Sequence, residues 1–133
     1  MDKQISPMRR VPLSATYNTR DLGGYPAGEG RWTKWGVFYR SDAPLSLDET
    51  DLMKLKERDI RTAIDLRTED QIRQNPSALS RVEGIAYYHC PFAVGNRDPK
   101  VAGDVPDIYM ELLSNRDTIR KVMGIAANAE GAL

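Results

Sequence analysis

Two capping boxes set the frame of this chain. Ser46-Leu47-Asp48-Glu49 and Thr68-Glu69-Asp70-Gln71 each put a hydroxyl residue three positions ahead of Glu or Gln, a spacing that satisfies two orphan backbone N–H groups reciprocally at a helix start. The first predicts a helix over 47–58, with Leu47, Leu52, Leu55 and, just past it, Ile60 near helical spacing. The second predicts a short helix to about Gln74, stopped by Asn75-Pro76. Between them Thr62–Leu66 is a short β-type run, with Arg67 at its end. With the flanking segments below, the order is strand, helix, strand, strand and then helices, which predicts an α/β fold with at least part of its sheet parallel.

The flanking segments extend the pattern. Residues 1–13 read as a tail, and 14–133 as one continuous unit. Gly23-Gly24 predicts a tight turn, because glycine tolerates positive φ. Residues 26–35 read as a hairpin-type connection, and Gly36–Arg40 as a short strand. Ile85–Cys90 predicts another strand, closed by Pro91, followed by loop over 93–103. Residues 104–114 and 115–129 read as two helices, the second capped by Asn115 or Asp117. Glu130-Gly131 ends it, and Ala132-Leu133 read as the first residues of a strand. No apolar run approaches the roughly 18 residues of a membrane helix. The polar start, Met1 to Pro12, has no hydrophobic stretch, so no secretory signal is read. The expected setting is soluble and cytoplasmic, a reading compatible with secretion by a route that uses no signal.

Charge narrows the partner classes. Nineteen basic residues balance nineteen acidic ones, which argues against a broad nucleic-acid surface. Arginine outnumbers lysine by 13 to 6, and arginine is the better fork for phosphate or carboxylate. A single cysteine, Cys90, and a single histidine, His89, exclude an internal disulfide and a structural zinc site of about four Cys/His ligands. No metal and no cofactor are expected.

Four constellations carry candidate chemistry. Asn18-x-Arg20-Asp21-Leu22-Gly23-Gly24 puts an Arg-Asp pair beside a glycine turn, and a surface ion pair is its bland reading. Tyr39-Arg40-Ser41-Asp42 and Ile64-Asp65-Leu66-Arg67-Thr68 each sit at the carboxyl end of a predicted strand. Ligands of open α/β sheets bind beyond such ends. These arginines therefore suggest an anion-handling edge, with structural ion pairs between strand ends as the alternative. His89-Cys90 is the fourth. A phosphate cradle of the cysteine type needs Cys, five residues, then Arg, so that backbone N–H groups wrap the phosphate. Here six residues separate Cys90 from Arg97, and Pro91 lacks the N–H. Cys90 is read as a strand-end residue. Trp32, Trp35, Tyr87, Tyr88 and Tyr109 are read as packing.

Asn18–Tyr25, Gly36–Asp42, Leu45-Ser46 and Ile64–Thr68, in this order and spacing, resemble the N-terminal half of the bacterial tyrosine-phosphatase family. The resemblance runs from about Ala15 to Leu133. It implies a central sheet flanked by helices, a phospho-cysteine intermediate, no metal, and a phosphotyrosine or phosphoinositide substrate. In that family a Glu-Gly turn leads into a strand ending in His-Cys-x-Ala-Gly-Lys-Asp-Arg-Thr-Gly. Asn128–Leu133 matches the lead-in, so the expectation is an incomplete fold of this type, without the catalytic-loop strand and inactive alone. The resemblance makes Asp65 an auxiliary acid or a loop-orienting residue. It makes Arg20, Asp21, Arg40 and Arg67 supporting or binding residues.

Two further expectations follow. An incomplete sheet leaves open edges, predicting pairing with the chain's own C-terminal part or with a second copy. The competing function is a non-catalytic module that binds phosphorylated ligands through Arg20, Arg40 or Arg67.

Overall fold

A computed structural model describes residues 9–92 and 115–133. Residues 1–8 and 93–114, with the expected loop 93–103, the expected helix 104–114 and Tyr109, lie outside the described residues. The elements run β1 (Arg20–Asp21), β2 (Tyr39–Arg40), α1 (Glu49–Glu57), β3 (Thr62–Asp65), α2 (Glu69–Gln74), a 3-10 turn (Ala78–Arg81), β4 (Ala86–His89) and α3 (Arg116–Asn128). The fold is α/β.

The Thr68 box forms as read: Thr68 accepts from the Gln71 N–H, and the Gln71 side chain accepts from the Thr68 N–H. The first box shifts by two residues. Asp48, not Ser46, caps α1, and Asp51 takes the reciprocal place of Glu49. Asp51 is buried, and its carboxylate also accepts from the backbone and hydroxyl of Ser14 at 2.9 and 2.5 Å. Those contacts oppose the burial that favours its protonated form, and together with the Asp48 N–H and Lys54 they leave its pKa below the ordinary value. One carboxylate thus closes the capping box and anchors a segment 37 residues earlier. Asn115 caps α3.

β3 and β4 are parallel, in the register Thr62↔Ala86 to Asp65↔His89. They are joined through α2 and the 3-10 turn, a crossover of the kind parallel pairing needs. The 3-10 turn and the two-residue β1 were not anticipated from the sequence. β1 and β2 are antiparallel, with Arg20↔Arg40 and Asp21↔Tyr39 opposed. Residues 26–35 form the expected hairpin-type connection, bridged at Pro26↔Trp32.

The two strand pairs meet through Ala132 and Leu133. Ala132 donates to the Asp59 carbonyl at 2.7 Å and accepts from Arg61 N–H at 3.0 Å, forming a parallel bridge with Ile60. Leu133 donates to Val37 carbonyl at 3.0 Å and accepts from Tyr39 N–H at 2.7 Å. These two residues lie between the β1–β2 and β3–β4 pairs and run parallel to β3, as their strand-like reading anticipates.

The core is small. Val11, Leu13 and Leu55 form its centre, with Tyr39, Leu47, Ile60, Leu79 and Ile85 packed around them. This corrects the reading of residues 9–13 as tail: Val11 and Leu13 are core residues because Val11 N–H bonds to the Thr19 carbonyl and Arg10 bridges Arg20. Arg9 closes the same corner. Its guanidinium stacks 3.9 Å from the Tyr25 ring centre and 5.6 Å from that of Trp35, and it donates to the Gly23 carbonyl. The expected glycine turn is there, with Gly24 at φ 77°.

Gly131 is the hinge of the strand junction. Its φ is 71°, and a Cβ there would lie 2.5 Å from the Asp59 carbonyl oxygen that Ala132 bonds. Gly131→Ala is therefore expected to destabilise the fold by about 1–3 kcal/mol, the range for strained backbone. A lowered thermal midpoint by circular dichroism checks this, and an unchanged midpoint refutes it.

Candidate functional site

The carboxyl ends of β2 and β3 border a cleft of about 380 Å³. Arg40, Ser41, Asp65, Arg67, Tyr87 and Leu133 are among its walls. It is open between the strands because only part of each edge is paired. The parallel ladder turns Ala63 and Asp65 toward β4, so the N–H and carbonyl of Ile64 point the other way, into the cleft. A larger groove of about 1660 Å³ lies among α1, the 3-10 turn and α3, but contains none of Arg40, Asp65 or Arg67.

Asp65 is the charged centre of the cleft. Arg67 grips its carboxylate from Nε (3.0 and 3.3 Å) and Nη2 (2.8 Å), and the Arg67 N–H adds a bond at 3.1 Å. The Tyr87 hydroxyl donates to Oδ2 at 2.5 Å. Burial opposes the charge on Asp65, yet the Arg67 and Tyr87 donors outweigh it and hold the pKa down to about 2. Tyr87 moves the other way, pushed up to about 12 by burial and then by the carboxylate it serves. The hydrogen bond to Asp65 likewise raises the Arg67 pKa. The remaining Arg67 terminal nitrogen, Nη1, donates to the Asn75 carbonyl at 2.8 Å, so each guanidinium nitrogen makes a hydrogen bond.

His89 and Cys90 support this centre from β4. His89 Nε2 lies 2.7 Å from the Arg67 carbonyl. A carbonyl only accepts, so Nε2 carries the proton. Cys90 is 1% exposed, and its N–H bonds to the Asp65 carbonyl at 2.9 Å. That is the environment of a packing thiol at a strand end.

The β2 side is organised by hydroxyls and carboxylates. Ser41 donates to the Asp42 carbonyl at 2.6 Å, so it accepts from Thr19, and Thr19 in turn accepts from Thr16. Asp42 receives the backbone N–H groups of Tyr17 and Asn18. Asp21 is buried and receives those of Gly23 and Gly36, both at 2.8 Å.

The structure brings Arg40, Asp65 and Arg67 to one cleft. It leaves Asp21 inside the glycine turn, where it shapes backbone. Arg20 lies across from Arg40 and is not among the cleft residues. The Arg20-Asp21 ion pair of the bland reading does not form, because neighbours in a strand point to opposite faces. Tyr87, read as packing, is a hydrogen-bond partner of Asp65. Its hydroxyl and that of Ser41 carried no signal in the sequence beyond their place near strand ends. Among the described residues no His, Cys, Asp and Glu cluster suits a metal ion, and no helix is long and apolar enough to cross a membrane.

A sequence model of the tyrosine phosphatase family matches residues 11–133. No curated protein matches the chain.

The charge on Asp65 gives a signed pH dependence. Its folded pKa, about 2, lies below the ordinary 3.8. Its contribution to stability is therefore complete above about pH 4 and lost as pH falls toward 2. Denaturant unfolding at a series of pH values should show a shallower decline over this window for Asp65→Asn than for the parent. Parallel declines would show that Asp65 is not held in this way.

Proposed function

Since the chain belongs to the tyrosine phosphatase family, we propose that it forms the supporting wall of a phosphomonoester-hydrolysing site. The observation that carries this reading is one shared cleft at two strand ends, with Arg40 on one side and the Asp65–Arg67 pair on the other. The substrate class is phosphotyrosine or a phosphoinositide. In the proposed reaction a thiolate attacks phosphorus as the P–O bond to the leaving group breaks and that oxygen takes a proton. Water then cleaves the S–P bond, releasing phosphate and restoring the thiol.

Cys90 does not serve as that nucleophile. It is buried, its spacing to Arg97 is six residues, and Pro91 interrupts the N–H cradle. The nucleophile, the phosphate-binding arginine and the general acid are proposed to come from outside residues 1–133. A carboxyl group with a pKa of about 2 carries no proton to give at neutral pH. This favours Asp65 as an orienting residue over Asp65 as auxiliary acid. Arg40 and Arg67 supply positive potential beside the reacting phosphate, Arg20 adds to that potential from β1, and Asp21 supports the glycine turn. The free edge at Ile64 favours strand addition, by the chain's own C-terminal part or by a second copy. The rival reading, a non-catalytic phospho-ligand module using Arg20, Arg40 and Arg67, is weakened by the bonds that already hold all three guanidinium nitrogens of Arg67.

Hydrolysis of p-nitrophenyl phosphate by residues 1–133, beside Cys90→Ser, tests the assignment. Neither protein is expected to turn over. Turnover abolished by Cys90→Ser would make Cys90 the nucleophile and overturn the reading. Light scattering after size exclusion tests the pairing: self-association is expected with rising concentration, and a strict monomer argues against a second copy.

A further inference from the structure

Three arginines stand in one cross-strand row. Arg10 bridges Arg20, and Arg20 is the register partner of Arg40, so all three occupy opposed positions on adjacent backbone segments. Directly opposed residues share a face of the sheet. The other face is inward, because the neighbours Val11, Asp21 and Tyr39 are buried or packed on the core. The row is therefore outward, with Arg10 and Arg40 exposed and Arg20 half-buried. At about 4.8 Å between segments the row spans roughly 10 Å.

Like charges directly opposed destabilise a sheet, and nothing described here relieves them. Among the described residues none of the three arginines makes a salt bridge. Among the described residues the acids adjacent to this row in sequence are already committed. Asp21 lies on the inner face and holds Gly23 and Gly36, while Asp42 holds Tyr17 and Asn18. Leu22 and Phe38, the next positions on the outer face beyond Arg20 and Arg40, carry no charge. Each guanidinium keeps a planar fork of donors suited to phosphate oxygens.

We propose that the Arg10–Arg20–Arg40 row is a binding site for a polyanion bearing two or more phosphate groups about 5–10 Å apart. This site is on the outer face of the β1–β2 pair. It needs neither the nucleophile nor the Asp65 centre, so its test is independent of hydrolysis. A monophosphate reaches only one or two of the forks, whereas a linear polyphosphate reaches across the row. The binding is electrostatic and falls with added salt.

The test is isothermal titration of residues 1–133 with inorganic triphosphate, beside inorganic phosphate and beside an Arg10→Gln/Arg20→Gln variant. Triphosphate is expected to bind at least tenfold tighter than phosphate, with at least a tenfold loss in the variant. Equal affinity for both anions, or no loss in the variant, overturns the proposal. A second reading guards against a variant that misfolds: Arg20→Gln alone should raise the thermal midpoint at low salt by removing repulsion, and saturating triphosphate should erase that gain. A lowered midpoint without ligand overturns the proposal. Phosphatidylcholine vesicles with and without phosphatidic acid separate the sources. Binding only to the phosphatidic acid vesicles, lost in the variant, assigns a lipid headgroup, and triphosphate binding without vesicle binding assigns a soluble anion. Failure of every arm overturns the site.

Discussion

Two residues, Ala132 and Leu133, tie the two halves of the sheet together. Neither the β1–β2 nor the β3–β4 pair contacts the other by a strand ladder. The backbone groups of Ala132 and Leu133 close the gap, reaching Asp59 and Arg61 on one side and Val37 and Tyr39 on the other. That geometry depends on the positive φ of Gly131, because the chain must leave α3 and turn into the sheet within a few residues. The position of β2 relative to β3, and so the width of the cleft between them, follows from this junction. With a core centred on three buried residues among the described ones, hydrophobic packing alone is a weak determinant of that spacing, and the directional bonds decide it.

The cleft has a fixed electrostatic character for a related reason. Asp65 is surrounded by donors from the turn after β3 and from β4, so it holds its charge and its position at once. The same donors that lower its pKa also remove it as a proton source. Arg67 is equally committed, with its fork shared between Asp65 and the Asn75 carbonyl. A rigid ion pair of this kind shapes the walls of a site and the field inside it, and leaves bond-making to groups with free valence.

Local chemistry was legible in the sequence, and long-range pairing was not. The Thr68 cap formed as read because all of its donors and acceptors lie within four residues. The Ser46 cap did not, because Asp48 offers equal capping chemistry and the choice was made by Ser14, distant in sequence, which anchors Asp51. Asp65 and Arg67 were found from their place at a strand end. Tyr87 was missed, because only the β3–β4 register reveals that its hydroxyl reaches Asp65. Asp21 was paired with Arg20 in one reading although strand periodicity alone sends them to opposite faces. Val11 and Leu13 were assigned to a tail because two apolar residues amid polar ones carry no period long enough to detect.

The charge balance of the whole chain conceals how its acids are used. Nineteen acidic residues match nineteen basic ones, yet Asp21, Asp42, Asp48 and Asp51 all receive backbone N–H groups. These carboxylates shape turns and a helix start, and their charge is partly neutralised by amide dipoles fixed around them. Arg9, Arg58 and Arg67 donate to backbone carbonyls, but among the described residues Arg10, Arg20 and Arg40 make no salt bridge. The result is a local cation surplus on a formally neutral chain. It lies along the outer face of β1 and β2 and at the rim of the cleft, where Arg40 belongs to both surfaces. Arg40 is therefore the residue through which an anion held on the outer row and a phosphate in the cleft would act on one another, by direct repulsion between the two ligands and by competition for a single fork.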